Sequence, residues 1–400
     1  MHRITSSAGL RRKSAVCSQS AFKSAFPART ALTAAGCLAF LLLLLFDPAP
    51  ALEGARRGLS LCGETVIPSL FPFLVLSGFI IQFGLAERLG RWMETATRLL
   101  FRLPGCAGTA LILGAVGGYP VGAGAVGELR RRGLLSEAEA ERLLCFCINS
   151  SPAFIIGAVG SGMLHSTAAG ILLCAAHLGA SFAVGLTLRF GARRLPAENS
   201  RPARRPPEEP HGVAETFVVS VTGSIRSVLS IAAFVVLFSS LNALLNDLGV
   251  PALLAGLAAH VAPPPSGDPL FYRRAVSGIL EVTNGCAAAS GGGGMEALLL
   301  LSLMLGWAGV SVQFQVVSMV RGSHVSARPF FFTRFLHMFF SALLTFALFL
   351  LFPGAVPSAA PTAQVFAWNG SAVSSAFHPA PAVCAMLLVC AILLLSLAQV

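Results

Sequence analysis

Long apolar stretches, each interrupted by a few polar residues or a proline, recur along the chain. Residues 143–164 show the pattern most sharply: LLCFCINSSPAFIIGAVGSGML is apolar at both ends and carries Asn149-Ser150-Ser151-Pro152 in its middle. Flanks this oily argue against a surface loop and predict a helix that enters a membrane, breaks and restarts. Irregular backbone at membrane depth survives only where protein buries it or a watery cavity meets it, so the break is a candidate binding site. Ser151 suits an N-cap and Pro152 the first position of the new half-helix. That half-helix would turn N–H groups and its positive dipole end toward whatever occupies the break. An anion is the natural guest; a plain kink whose Asn and Ser satisfy local carbonyls is the alternative.

The rest of the chain reads in the same terms. Residues 32–52 predict a first span, preceded over 1–30 by six basic residues and no acid, which puts the N-terminus in the cytoplasm. Ala49-Pro50-Ala51 resembles a signal-peptide cleavage site, but the leading region is long for one, so an uncleaved anchor is expected. Pro68 and Pro72 interrupt the apolar residues 63–84; prolines this close free carbonyls in a continuous helix, which predicts a re-entrant piece followed by a helix. Residues 85–103 are amphipathic and suit the membrane interface. Residues 105–127 are glycine-rich and broken at Tyr119-Pro120. Gly114, Gly118 and Gly122 have the small-xxx-small spacing that lets helix backbones approach. Gly122, Gly124 and Gly127 spell GxGxxG, without the preceding strand a dinucleotide site needs. Ser136 and Glu139 form a capping box that starts the helix leading to the Asn-Ser-Ser-Pro break, and 167–190 predict another span.

After a basic, proline-rich stretch (191–215) assigned to the cytoplasm, the order recurs loosely. Residues 213–248 are apolar with Arg226; a short helix and the loop Pro263-Pro264-Pro265 follow; 275–290 are broken at Glu281-Val282-Thr283-Asn284-Gly285; 298–320 are apolar but hold Gln313 and Gln315. Spans at 330–352 and 382–397 close the pattern, with 353–381 as an external loop. A shift of 160 residues aligns Gly63 with Gly223, Ser151 with Ser311 and Phe154 with Phe314. Paired interrupted segments in two halves point to a transporter site.

Ionisable residues read as lying within apolar stretches are Glu64, Arg226 and Glu281. Each costs at least ~2.5–3.5 kcal/mol at bilayer depth and must face a cavity, a partner or water. Glu64, near a segment end, can reach water. Glu281, with Thr283 and Asn284, coincides with a break; it either takes up a coupling proton or pairs with an arginine such as Arg226. Gln313 and Gln315 point about 200° apart on a helix, so one lines a site while the other packs. The candidate solute-binding set is Tyr119, Asn149, Ser150, Ser151, Glu281, Thr283, Asn284 and Gln313.

Composition agrees. The 400 residues are 55% hydrophobic and 11% charged, against roughly 25% charged in soluble proteins, so this is a multi-pass membrane protein. The net charge of +11 reads as basic cytoplasmic loops rather than a nucleic-acid surface. Ten cysteines without a CxxC pair suggest neither a disulfide framework nor a metal site. No HExxH or Walker sequence is present, so no enzyme and no cofactor is expected; a serine and a histidine brought together in space would reopen a hydrolase.

The segments GETVIPSLFPFLVLSGFI, GGYPVGAGAVGELRRRGLLSEAEAERLLCFCINSSPAFIIGAVGSGML and GILEVTNGCAAAS resemble the YlbJ family of sporulation integral membrane proteins. The resemblance implies an all-α polytopic membrane protein with two Gate-type nucleoside-recognition repeats containing broken or re-entrant helices, a fold similar to the core of concentrative nucleoside transporters. It divides the chain into a basic tail (1–30), a first transmembrane helix (31–52), a first repeat (53–190), a linker (191–215), a second repeat (216–352), and a loop with a last transmembrane helix (353–400). It further implies a transporter of dipicolinate across the outer forespore membrane, needed for core dehydration and cortex formation. A carrier for nucleosides or another small solute, and a non-transporting organiser of cortex assembly, stay open. Dipicolinate is a small aromatic dianion, on which Tyr119, Phe146 or Phe154 could stack. The partners implied are that anion and the lipid bilayer, no nucleic acid, and a homo-oligomer as an open possibility.

Overall fold

The computed structural model describes residues 28–191, 212–261, 270–292 and 294–355. The expected basic tail, most of the linker, the Pro263–Pro265 loop and the last span at 382–397 lie wholly or mostly outside them. Among the described residues there is no strand, and four helices are long and apolar enough to cross a membrane, six if each of two bent pairs counts as one span. The protein is an all-α polytopic membrane protein.

The expected first span is two helices. Helix α1 (Ala28–Phe46) ends at Asp47, and α2 (Pro48–Leu61) leaves at 98°. Asp47 sits at φ −140°, ψ 81°, because a residue before proline is pushed out of the helical region. Helix α2 runs through a π stretch (Cys62–Val66) into α3 (Ile67–Gln82) without interruption, so Pro68 and Pro72 do not make a re-entrant break. The Ile67 N–H reaches back to Cys62 O, and this wider turn accommodates the carbonyls that Pro68 would otherwise crowd.

Helix α4 (Leu85–Phe101) carries charges on one side and exposes Leu89, Trp92 and Leu99 on another. It meets α5 (Cys106–Gly117) at 85°, as an interfacial helix turning into a descending one would. Helix α5 stops at Gly118, whose φ of 91° only glycine adopts easily, and α6 (Tyr119–Arg131) restarts there. Helix α7 (Glu137–Cys147) begins with the capping box: Glu139 N–H donates to Ser136 Oγ at 3.3 Å and Ser136 N–H to Glu139 Oε2 at 2.9 Å. It breaks at 148–151 and restarts as a π stretch (Ala153–Met163) before α8 (Thr167–Gly191). The small-xxx-small residues act as expected: a side chain at Gly114 or Gly122 would run into the Cys147 carbonyl, so α5, α6 and α7 are in backbone contact. The GxGxxG glycines lie along α6.

The second half repeats the order. Long α9 (Val213–Asp247) and short α10 (Val250–Val261) precede α11 (Phe271–Leu280), which stops at the extended Glu281 before α12 (Val282–Ser290). Helix α13 (Gly294–Trp307) breaks at Ala308, φ 70°, before α14 (Gly309–Val320), and α15 (Arg328–Leu351) follows. The break at Ala308-Gly309 falls within the stretch read as one helix. Gly309 lies 309 − 149 = 160 residues after Asn149, the shift that aligns Ser151 with Ser311. In each half the two interrupted helices meet at their interruptions. A Cβ on Gly118 would sit 3.3 Å from the Ser151 Cβ, and one on Gly309 2.9 Å from the Val282 nitrogen. Helices α8 and α15 pack along each other between the halves.

Candidate solute site

A cavity of about 160 Å³ lies where the interruptions converge. Gly118, Tyr119 and Pro120 supply one wall, Ser150, Ser151 and Phe154 a second, Glu281, Val282 and Thr283 a third. Apolar side chains of α2, α3 and α9 and, from α14, Val312 and Gln315 complete it.

The Asn-Ser-Ser-Pro break is held by donors from distant helices. Where α7 ends, its last carbonyls lose their helical partners, and in a buried setting each must find another. Arg334 of α15 supplies two: Nη2 donates to Cys145 O at 2.8 Å and Nη1 to Ile148 O at 3.0 Å. Its guanidinium is fully buried and stacks 4.7 Å from the Phe330 ring centre. Phe146 O accepts from Ser181 Oγ and from Asn149 Nδ2. The Ser150 N–H donates to His177 Nε2 at 3.0 Å, and His337 Nε2 donates to His177 O at 3.1 Å, with the two imidazoles 4.5 Å apart. Beyond the break Ser151 is the N-cap, its Oγ accepting from Phe154 N–H at 3.3 Å. The serine and histidine do meet in space, but through a backbone N–H, so this imidazole nitrogen is engaged by the main chain rather than by a serine hydroxyl.

Glu281 plays the matching part at the second break. It is 4% exposed, and its carboxylate caps α12: Oε1 accepts from Thr283 N–H at 3.0 Å and Oε2 from Asn284 N–H at 2.7 Å. The alternative pairing with Arg226 is not formed. Arg226 is exposed on α9, and the ion pairs among the described residues are Glu94–Arg98, Glu128–Arg131 and Glu128–Arg132. Glu64 is exposed and accepts from Ser60 Oγ at 2.6 Å, the bland role foreseen for it.

Of the candidate residues, Tyr119, Ser150, Ser151, Glu281 and Thr283 line the cavity. Tyr119 also straps α6 to α13, its hydroxyl donating to Leu305 O at 2.9 Å. Asn149 is buried behind the wall. Asn284 enters through its backbone N–H. Gln313 points away, donating to Trp307 O at 3.2 Å across the α13–α14 break, while Gln315 faces the cavity and donates to Ser311 Oγ at 3.3 Å. The two glutamines face opposite ways, and it is Gln315 rather than the expected Gln313 that lines this cavity. Phe146 packs on Phe101, with ring centres 4.9 Å apart, leaving Tyr119 and Phe154 as the rings at the cavity.

Sequence reasoning passed over Arg334, His177 and His337. A signal existed: Thr333, His337, Ser341 and Thr345 recur every fourth residue in the phenylalanine-rich α15, and all are buried. A polar stripe on an otherwise apolar helix marks an inward face; Ser341 and Thr345 each lie 2.8 Å from Ser302 Oγ of α13.

Three comparisons bear on this arrangement. A family model described as nucleoside recognition (Gate) matches residues 64–167, from the first π stretch through the α5–α6 crossing and the Asn-Ser-Ser-Pro break. No solved structure matches. The sporulation integral membrane protein YlbJ of Bacillus subtilis (strain 168) is 32% identical over 329 residues, covering 76% of this chain and 79% of that protein. Identity at that level, spread over most of both chains, means that the chain belongs to the YlbJ family of sporulation integral membrane proteins.

Proposed function

We propose that this protein is a carrier, not an enzyme, acting in sporulation, and that it moves a small organic anion, dipicolinate, across the outer forespore membrane. The observation that carries the reading is a cavity walled by both interrupted segments. Its volume of about 160 Å³ is close to the roughly 150 Å³ of an engineered cavity that accepts benzene, so it suits a one-ring solute better than a base joined to a ribose. Tyr119 and Phe154 offer ring faces, and the Ser150–Ser151 turn offers hydroxyls at the start of a half-helix, where carboxylates are favoured. The role in sporulation rests on the similarity to the sporulation integral membrane protein YlbJ. The description of the matching family model supports a second reading, a nucleoside carrier.

Direct binding of radiolabelled dipicolinate to the purified protein, with nucleosides as competitors, tests the choice, and uptake into proteoliposomes tests transport. Saturable dipicolinate binding that nucleosides do not displace is expected, weakened at least tenfold by Ser151→Ala with Tyr119→Ala. Displacement by nucleosides would favour the second reading. No uptake of either solute would leave a membrane protein that organises spore assembly without transport.

A further inference from the structure

Building on the carrier reading, we infer that the cavity takes up one proton with each dicarboxylate it binds, and that the proton resides on Glu281. The Glu281 carboxylate forms part of the cavity wall and is almost wholly buried. Its two oxygens are held by the N–H groups of Thr283 and Asn284, and no Lys, Arg or His is among the residues lining the cavity. The titratable side chains whose charge Glu281 feels, or that feel it, are Cys62 at the start of the first π stretch, Tyr119 of α6 and Cys286 of α12. All three are weak acids, neutral or negative, so none can offset a carboxylate. Helices α9 and α14 present Ile231, Val235, Val312 and Gln315 to the cavity. The nearby buried cation, Arg334, is engaged on the far side of the Asn-Ser-Ser-Pro break by Cys145 O and Ile148 O.

A dicarboxylate therefore brings charge into a small space that already holds one uncompensated carboxylate, and like charges sharing a site cannot all stay ionised. The proton comes from water on the side the solute enters. It forms an O–H on one Glu281 oxygen, which then donates to the solute carboxylate, while the remaining lone pairs still accept the Thr283 and Asn284 N–H groups. It leaves to water on the side where the solute is released, so the cycle returns Glu281 to its ionised cap. Binding and protonation are then linked: affinity is full at low pH and falls about tenfold per pH unit once free Glu281 is ionised.

The test uses the full-length protein in detergent with dipicolinate as the probe, between about pH 6 and pH 9, where both of its carboxyl groups are ionised. Wild type should bind about tenfold more weakly for each unit of rising pH and take up one proton per solute in weakly buffered solution. Glu281→Gln, which carries the neutral form permanently, should bind without pH dependence and without proton uptake. Glu281→Asp should keep the slope, and serves if Gln fails to cap α12 and unfolds the protein. Wild-type binding that is flat with pH, or a Glu281→Gln variant that keeps the wild-type slope, overturns the inference while leaving the carrier reading intact. Absence of dipicolinate binding at every pH in wild type overturns both.

Discussion

Replacing Arg334 by methionine removes the clamp on the α7 end while keeping a side chain of similar reach. Two charge-assisted hydrogen bonds go, each worth ~1.5–3 kcal/mol, together with a cation–π contact worth about 0.5–2 kcal/mol. Set against this, the guanidinium is fully buried without a carboxylate partner, and deleting it recovers a desolvation penalty of several kcal/mol. Those terms nearly cancel, so the carbonyls left behind decide the sign. Cys145 O keeps a share of the Thr333 hydroxyl, 3.3 Å away and also directed to Phe330 O at 2.9 Å, whereas Ile148 O loses the guanidinium bond in a buried setting, a cost of about 1–3 kcal/mol. The net expectation is a loss of roughly 2 kcal/mol, concentrated at the break. Thermal unfolding in detergent should show an apparent midpoint lower by several degrees. Dipicolinate affinity should fall at least tenfold, because Ser150 and Ser151 lie only two and three residues beyond Ile148. Arg334→Lys keeps the charge but cannot fork to two carbonyls at once, so it should fall between. A methionine variant with unchanged midpoint and affinity would show that the break holds itself and that the clamp is not needed.

The crossing in the second half is tested by Gly309→Ala. The new methyl would lie 2.9 Å from the Val282 nitrogen on a residue at φ 73°, so folded yield should drop sharply, while Gly223→Ala on α9, with nothing within 4 Å of its Cβ, should leave it unchanged. The two glutamines should separate by readout. Gln315→Leu should weaken solute binding at near-normal thermal stability, and Gln313→Leu should lower stability by about 1 kcal/mol at near-normal affinity; the reverse pattern would restore Gln313 as the solute-facing residue.

What the sequence made legible were interruptions that carry their own chemistry. Asn149-Ser150-Ser151-Pro152 holds an N-cap and a first-turn proline, and Glu281 lies among polar residues, so both stand out against apolar flanks. The Ala308-Gly309 break is made of small residues with no polar marker, and only the backbone angles reveal it. Pro68 and Pro72 misled for the opposite reason: a π turn lets the helix run on past prolines, and nothing in the residue types announces that turn. At Asp47-Pro48 the bend does have a marker, a polar residue before a proline, but it follows, after Phe46, the run of five leucines at 41–45, which reads as the middle of a continuous span. Arg334 was hidden by five phenylalanines within five positions of it. Its role is tertiary, since the groups it satisfies lie 186 and 189 residues away, a distance no local pattern spans.

The two breaks differ in what holds their ends, and this makes the cavity asymmetric. At the first, the negative end of α7 is engaged by a buried cation behind the wall, and the restarting half-helix is capped by a neutral serine. At the second, the restarting α12 is capped by a full carboxylate. A solute between them therefore meets hydroxyls and a positive helix end on one side and an anion on the other. A dicarboxylate is matched at only one of its ends unless the other wall changes charge, and Glu281 is the group among the lining residues that can do so by gaining a proton. A symmetric pair of breaks would bind such a solute equally at both ends and hold it. On the proposed carrier reading, the asymmetry built from Arg334 on one side and Glu281 on the other would give the site a charge state in which it binds and another in which it releases, which is what a carrier must have and a static anchor need not.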